Sequence, residues 1–281
     1  MRYRSNARCP RLISLSLAAW LGCAAGVCAQ VPQRVVSMNL CTDLFAMALA
    51  APGQLISVSA IASDPLSSPM AEEAARYPAN HGSAEEIFLL QPDLVVAGIW
   101  SDPAAIALLR RLDIRVEQFV LEDELSDIPA QLARMGALLG RQTEAQTLIR
   151  QFETDLAALS TPPGTRRAAF YYPNGYTLGP DSLADDVVTT AGYRNIIAEL
   201  DRSASGQLAL ELLVLAAPDL IITSQPYRGA SQAEEILRHP ALQTLIAVGQ
   251  TYQSGPEWAC GTPAVLTALR ALRDLRIGGA Q

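Results

Sequence analysis

The sequence contains no lysine: all 21 of its basic residues are arginine. Alongside abundant alanine, this marks coding bias rather than a device for phosphate recognition. Histidine is scarce too, with only His81 and His239, far apart in opposite halves of the chain. A zinc site needs three or four ligands, so no histidine-based metal centre is expected. Acid–base catalysis would have to fall on carboxylates, and no pair of them stands out. No Gly-x-Gly-x-x-Gly follows a strand-like run, and no Gly-x-x-x-x-Gly-Lys-Ser/Thr occurs, which excludes the phosphate cradles built on those motifs. No Ser/His/acid set with useful spacing is visible. These absences assign no catalytic residue, no metal and no cofactor. Beyond the N-terminus, no apolar run is long enough to cross a bilayer.

What is present starts with the N-terminal segment. Arg2, Arg4, Arg8 and Arg11 precede an apolar run from Leu12 to Val27, which ends in Val27-Cys28-Ala29. A charged start, a short apolar stretch and small residues at the end read as a secretory signal peptide over residues 1–29, cleaved near Ala29. Cys23 follows Leu21-Gly22, a weak lipoprotein-like context that leaves lipidation open. Removal of this segment takes away four Arg and no acid, so the net charge moves from −7 to −11. An acidic surface argues against nucleic acid and against anionic lipid head groups. Cys41 and Cys260 are then the two remaining thiols. In an oxidising compartment they invite a disulfide, although the sequence leaves open whether they meet.

Two stretches of the mature chain, 126 residues apart, are near copies: Glu85 through Pro92-Asp93-Leu-Val-Val and Glu211 through Pro218-Asp219-Leu-Ile-Ile. Each reads as a short helix, a stop before proline and a buried parallel strand. Around them, apolar β-branched runs alternate with helical periodicity. Strands are expected at 34–38, 55–59, 115–119, 167–172 and near 245–248, and helices at 104–112, 183–191, 232–238 and 263–276. Such alternation implies parallel sheets with helices on their faces. Residues 126–159 carry uninterrupted helical periodicity apart from Gly136 and Gly140, and read as a stiff connector. The expected organisation is therefore a signal peptide (1–29), an N-terminal lobe (30–124), a connecting helix (125–160) and a C-terminal lobe (161–281). Two lobes imply a cleft between them.

In parallel α/β sheets, ligands bind beyond the carboxyl ends of the strands. Trp100, Tyr172, Tyr176, Tyr227 and Trp258 all fall at such loops, with Arg228 the best-placed cation. Each could equally be half-buried core; as a group they point to an aromatic cleft. Glu85 and Glu211 have a different character. Ser83-Ala-Glu-Glu86 reads as a capping box that uses Glu86, leaving Glu85 to solvent. In the second copy Ala209 replaces the capping Ser, yet Glu211 is retained. One surplus carboxylate per lobe suits docking onto a two-fold partner that presents basic residues.

Arg34-Val-Val-Ser, Asp64-Pro65, the two Glu-to-Pro-Asp phrases and the helical connector resemble, in order and spacing, the iron-siderophore/cobalamin periplasmic-binding family of ABC importers. The resemblance spans nearly all of residues 33–276. It implies two Rossmann-like lobes with parallel sheets, joined by a long rigid helix, with the ligand cleft between them. It further implies a monomeric, non-enzymatic, periplasmic protein that delivers a small-molecule metal chelate to a transmembrane permease dimer, with Glu85 and Glu211 pairing with permease Arg residues. Asp64 joins the aromatic residues and Arg228 as an expected ligand contact. The ligand is expected to be a corrinoid, with a ferric siderophore or haem as the alternative. From another class altogether, an exported enzyme or sensor module remains open.

Overall fold

The computed structural model describes residues 30–200, 205–225 and 231–278. The expected signal peptide, Cys23, Tyr227 and Arg228 lie outside the described residues. The first lobe carries strands β1 (Val35–Ser37), β2 (Leu55–Ser59), β3 (Ala79–Asn80), β4 (Leu94–Gly98) and β5 (Val116–Phe119). They form one parallel sheet in the order β3-β2-β1-β4-β5. Its helices are α1 (Leu40–Leu49), α2 (Ala71–Ala74), α3 (Ala84–Leu89) and α4 (Pro103–Arg111). Val35, Val36 and Leu94 to Ala97 are fully buried, as expected of strands covered on both faces.

Helices α5 (Ile128–Leu139) and α6 (Gln142–Leu159) follow, and then the second lobe. Its strands are β6 (Arg167–Phe170), β7 (Tyr176–Thr177), β8 (Arg194–Asn195), β9 (Gly206–Gln207), β10 (Leu220–Ser224) and β11 (Gln250–Ser254). Four of them form a parallel sheet in the order β11-β10-β6-β8, while β7 and β9 make a small antiparallel ribbon. Helices α7 (Leu183–Thr190), α8 (Ile196–Glu199), α9 (Leu210–Ala216), α10 (Pro240–Val248) and α11 (Val265–Gly278) complete it. The chain is thus α/β with two parallel-sheet lobes.

The Pro-Asp phrases show how one local device builds both lobes. Helix α3 ends at Leu89 and α9 at Ala216, and the residue before each proline is left-handed rather than extended, with φ of 48° at Gln91 and 44° at Ala217. The following Asp then ties the start of the lobe's first strand. Asp93 accepts from the backbone N–H groups of Gln33 (2.7 Å) and Arg34 (3.0 Å), and Asp219 accepts from that of Arg167 (2.7 Å). The same arginines return to the orphan carbonyls at the helix end. Arg34 donates to Gln91 (3.0 Å) and Leu90 (2.6 Å), and Arg167 to Ala217 (3.0 Å). Capping, strand start and turn are one hydrogen-bonded unit, used twice.

Two expectations are corrected here. The stretch read as one helix from 126 to 159 is two helices, because Gly140 takes a left-handed φ of 67° and caps α5. The two then pack closely, and a side chain at Gly136 would come within 2.4 Å of the Ala145 methyl. The rigid joining element is the 18-residue α6, about 27 Å long at 1.5 Å per residue. Its buried stripe, Ala145, Ile149 and Phe152, belongs to a core cluster that runs from β1 and α5 to α11. The strand expected near 245–248 is instead the end of α10, and the strand follows as β11. Pro240 occupies the first turn of α10, and His239 Nδ1 accepts from the Ala241 N–H (3.2 Å), so the short apolar run is helical. His239 thus stands at a helix end twice over, closing the 3-10 helix Gln232–Arg238 and opening α10.

Candidate functional site

Both sheets reverse their winding in the middle. In the first, β1 and β4 are neighbours whose connections leave in opposite directions; in the second, β6 and β10 play that part. The crevice beyond such a pair is where ligands sit in open α/β sheets. Trp100 lies just past β4 and is 79% exposed, and it lines a small pocket together with Asn39, the cap of α1. Gly98 lets the two loops close on each other, since a Cβ there would stand 3.0 Å from the Asn39 side chain.

On the second lobe, residues in and just beyond β6 and β11 build an aromatic cluster. Phe170 stacks on Tyr172 at 6.2 Å between ring centroids and meets the edge of Trp258 at 6.0 Å. Tyr252 lies 6.0 Å from Trp258, and its hydroxyl donates to Glu257 Oε1 (2.9 Å). Burial pushes the Tyr252 phenol up to about 12, against the lowering effect of a hydrogen bond from the Trp258 side chain, while the Glu257 carboxylate adds to the rise. Tyr176 is bonded to the same turn, its carbonyl accepting from the Tyr172 N–H (2.8 Å), and its ring is exposed. Tyr171 turns the other way, into the core beside Ile196 and Leu213. Tyr252 and Glu257 were not among the expected site residues.

An open groove of about 530 Å³ runs between the two lobes, lined by Pro65, Ser68, Met70, Glu73 and Arg76 on one side and Pro256 on the other. That volume is within the range of small-molecule sites. Asp64, next in sequence to Pro65, does not line the groove, and its carboxylate is engaged locally, accepting from the Ser67 hydroxyl (2.7 Å) and the Leu66 N–H (3.0 Å). These bonds hold its pKa below the usual carboxylate range. Arg76, the described cation of the groove, is paired with Glu73 at 2.7 Å. Among the described residues no cluster of three or more His, Cys, Asp or Glu could hold a metal ion.

Beside the cleft, Cys41 at the start of α1 is bonded to Cys260 before α11, with their Cα atoms 5.4 Å apart. Glu122 packs against this link. It is 6% exposed, and Gly261 is the residue that makes room for it, since a Cβ there would fall 2.4 Å from the Glu122 Cβ. Burial raises its carboxyl from 4.5 to about 7, against the lowering effect of backbone N–H bonds from Glu122 itself and Gly261. Asp127 and Asp123 add like-charge repulsion. The folded state therefore holds this proton more tightly than the unfolded chain does. The benefit is fully present below pH 4.5 and is lost as pH rises to about 7. Glu122→Gln, which keeps an acceptor and removes the charge, is expected to match the wild type in urea unfolding near pH 4. Above pH 7 it should be more stable by on the order of 2 kcal/mol. Equal midpoints at pH 8 would contradict this.

The two surplus carboxylates occupy equivalent positions. Glu85 and Glu211 are exposed in the first turns of α3 and α9, and neither forms an ion pair with a described residue. Ser83 caps α3 by accepting from the Glu86 N–H (3.2 Å). The reciprocal half of the capping box is absent. Glu86 turns instead to His81, accepting from its backbone N–H (2.7 Å). Glu85 is free of the cap either way, and α9 begins at Ala209 with no side-chain cap at all.

With the geometry in place, the chain can be set beside known proteins. A family model described as periplasmic binding protein matches residues 35–252. A cobalamin-binding protein of Halobacterium salinarum is 27% identical over 147 residues, which cover 50% of this chain and 40% of that protein. Two solved structures share the fold. The apo periplasmic heme-binding protein RhuT from Roseiflexus sp. RS-1 is 20% identical, with a TM-score of 0.71, over 89% of this chain and 99% of that one. The periplasmic vitamin B12 binding protein BtuF of Vibrio cholerae is 21% identical, with a TM-score of 0.67, over the same shares.

Proposed function

Because the chain belongs to the periplasmic binding protein family, we propose that it is an exported substrate-binding protein of an ABC importer. It captures a metal chelate between its lobes and hands it to a membrane permease. What supports this reading is that aromatic side chains stand at loops beyond strand ends in both lobes, Trp100 after β4 in the first and Tyr172 and Trp258 after β6 and β11 in the second, beside a groove that residues of both lobes line. Large flat aromatic faces bind broad, mostly neutral ligands well. Asp64, Tyr176, Tyr227 and Arg228 belong to the proposed ligand shell. Export to the periplasm and action as a monomer are part of the same proposal. Among the described residues, no helix is long and apolar enough to cross a membrane.

The ligand favoured is a corrinoid. The relative from Halobacterium salinarum binds cobalamin, and the groove's described cation, Arg76, is already neutralised by Glu73. A polyanionic ferric siderophore would ask for several cations, and the proposed ligand shell offers Arg228 alone. The test is intrinsic tryptophan fluorescence during titration with cobalamin, haem and a panel of ferric siderophores. Saturable quenching by cobalamin at micromolar concentration or below, weakened at least tenfold in Trp258→Ala, is expected. No response to any cobalamin, with saturation by haem or a siderophore, would overturn the corrinoid reading.

A further inference from the structure

The repeated phrase carries more than its carboxylate. Residue by residue, α3 and α9 share one pattern of exposure. Ala84 and Leu210 are buried, Glu85 and Glu211 exposed, Ile87 and Leu213 buried, Phe88 and Val214 exposed, Leu89 and Leu215 exposed. Leu89 is 79% exposed and Leu215 is 80% exposed, each four residues after its lobe's Glu. Residues four apart on a helix are surface neighbours, so each lobe presents one carboxylate beside one bare leucine. A single exposed leucine needs no explanation. The same leucine, equally bare and at the same offset from the same acid in both halves, is not scatter.

We propose that Leu89 and Leu215 are paired apolar knobs that seat in two equivalent apolar sockets of a two-fold symmetric membrane partner, each socket beside a basic side chain. This rests on the docking role given above to Glu85 and Glu211, and it adds the contact that holds once the charges have met. The repetition of the patch across two similar lobes asks for a partner that offers the same surface twice. The charge excludes the other obvious occupants. A second copy of this chain would bring carboxylate against carboxylate at each patch, and an anionic lipid surface would be repelled. Phe88 and Val214, 47% and 37% exposed, widen the apolar rim on each side. Charge then steers the encounter, while burial of the knobs slows release.

The experiment measures binding of the mature protein to its purified permease–ATPase complex in lipid nanodiscs, with ligand titration as the control for folding. Leu89→Ala or Leu215→Ala alone is expected to weaken binding about tenfold, equal to about 1.4 kcal/mol, and the pair about a hundredfold. These losses should persist at high salt. The loss in Glu85→Gln/Glu211→Gln should shrink as salt rises, because screening weakens the wild-type contact as well. Ile277→Ala, at another exposed site, should bind within twofold of wild type. Wild-type affinity in both leucine variants, with binding lost in the Glu pair, would overturn the knobs and leave the docking surface standing. Unchanged binding in all four variants would overturn both. A concentration-dependent dimer in sedimentation, abolished by Leu89→Ala, would assign the face to self-association and also overturn the proposal.

Discussion

Reversing both surplus carboxylates, as E85R with E211R, is expected to cut ligand import to about one hundredth or less while ligand affinity stays within twofold of wild type. Both residues are exposed, sit in the first turns of short helices and have no ion pair with a described residue. Their removal therefore leaves the fold unchanged. At an interface with basic residues, truncating one member of a close charge pair typically costs about 2–5 kcal/mol, and reversal adds repulsion at two sites. Even the low end, doubled, exceeds a hundredfold change in affinity. The check is uptake of labelled ligand in cells lacking the wild-type chain, alongside titration of the purified variants. Full uptake by the double reversal would remove docking as the role of these residues. Lost ligand affinity with intact folding would place them in the cleft instead.

The second large effect is expected from the cysteine pair. Cys41 and Cys260 close a loop with a sequence separation of 219, nearly the whole mature chain, and they join the first helix of one lobe to the segment before the last helix of the other. Chain-entropy arguments assign about 5 kcal/mol to a loop of that order, less whatever strain the fold imposes. C41S/C260S is therefore expected to lower stability in urea by roughly 3–5 kcal/mol and the melting midpoint by about 10 °C. Reduction of the wild type should reproduce the same shift. If the protein recovered from an oxidising compartment carries two free thiols, or if the double Ser variant melts with the wild type, the link contributes nothing.

The layout of the lobes was legible because it is written in short-range chemistry. Pro92-Asp93 and Pro218-Asp219 announce a helix stop and a strand, and Arg34 and Arg167 complete a unit that a reader of sequence can see in part. The break inside the connector was harder. Gly140 is one of two weak interruptions, with Gly136, in a continuing apolar periodicity, and its left-handed backbone divides α5 from α6. The candidate site was half legible. Tryptophans and tyrosines at strand ends could be picked out from the topology rule alone. Tyr252 escaped because β11 reads Gln-Thr-Tyr-Gln-Ser, a polar edge strand without an apolar signal, and the apolar run before it is helical. Glu122 was invisible for a different reason. Nothing near it in sequence says that it will be buried, because the residue that makes room for it, Gly261, comes from the other lobe. Long-range juxtaposition of that kind leaves no local trace.

The central claim, that this chain captures a ligand between its lobes and gives it up unchanged, is tested most directly by equilibrium dialysis of the mature protein against cobalamin, haem and ferric siderophores, with mass analysis of whatever is released on denaturation. The account predicts one ligand class held at about one molecule per chain and recovered with its mass intact. No retention of any of them, or recovery of a chemically altered product, would contradict it.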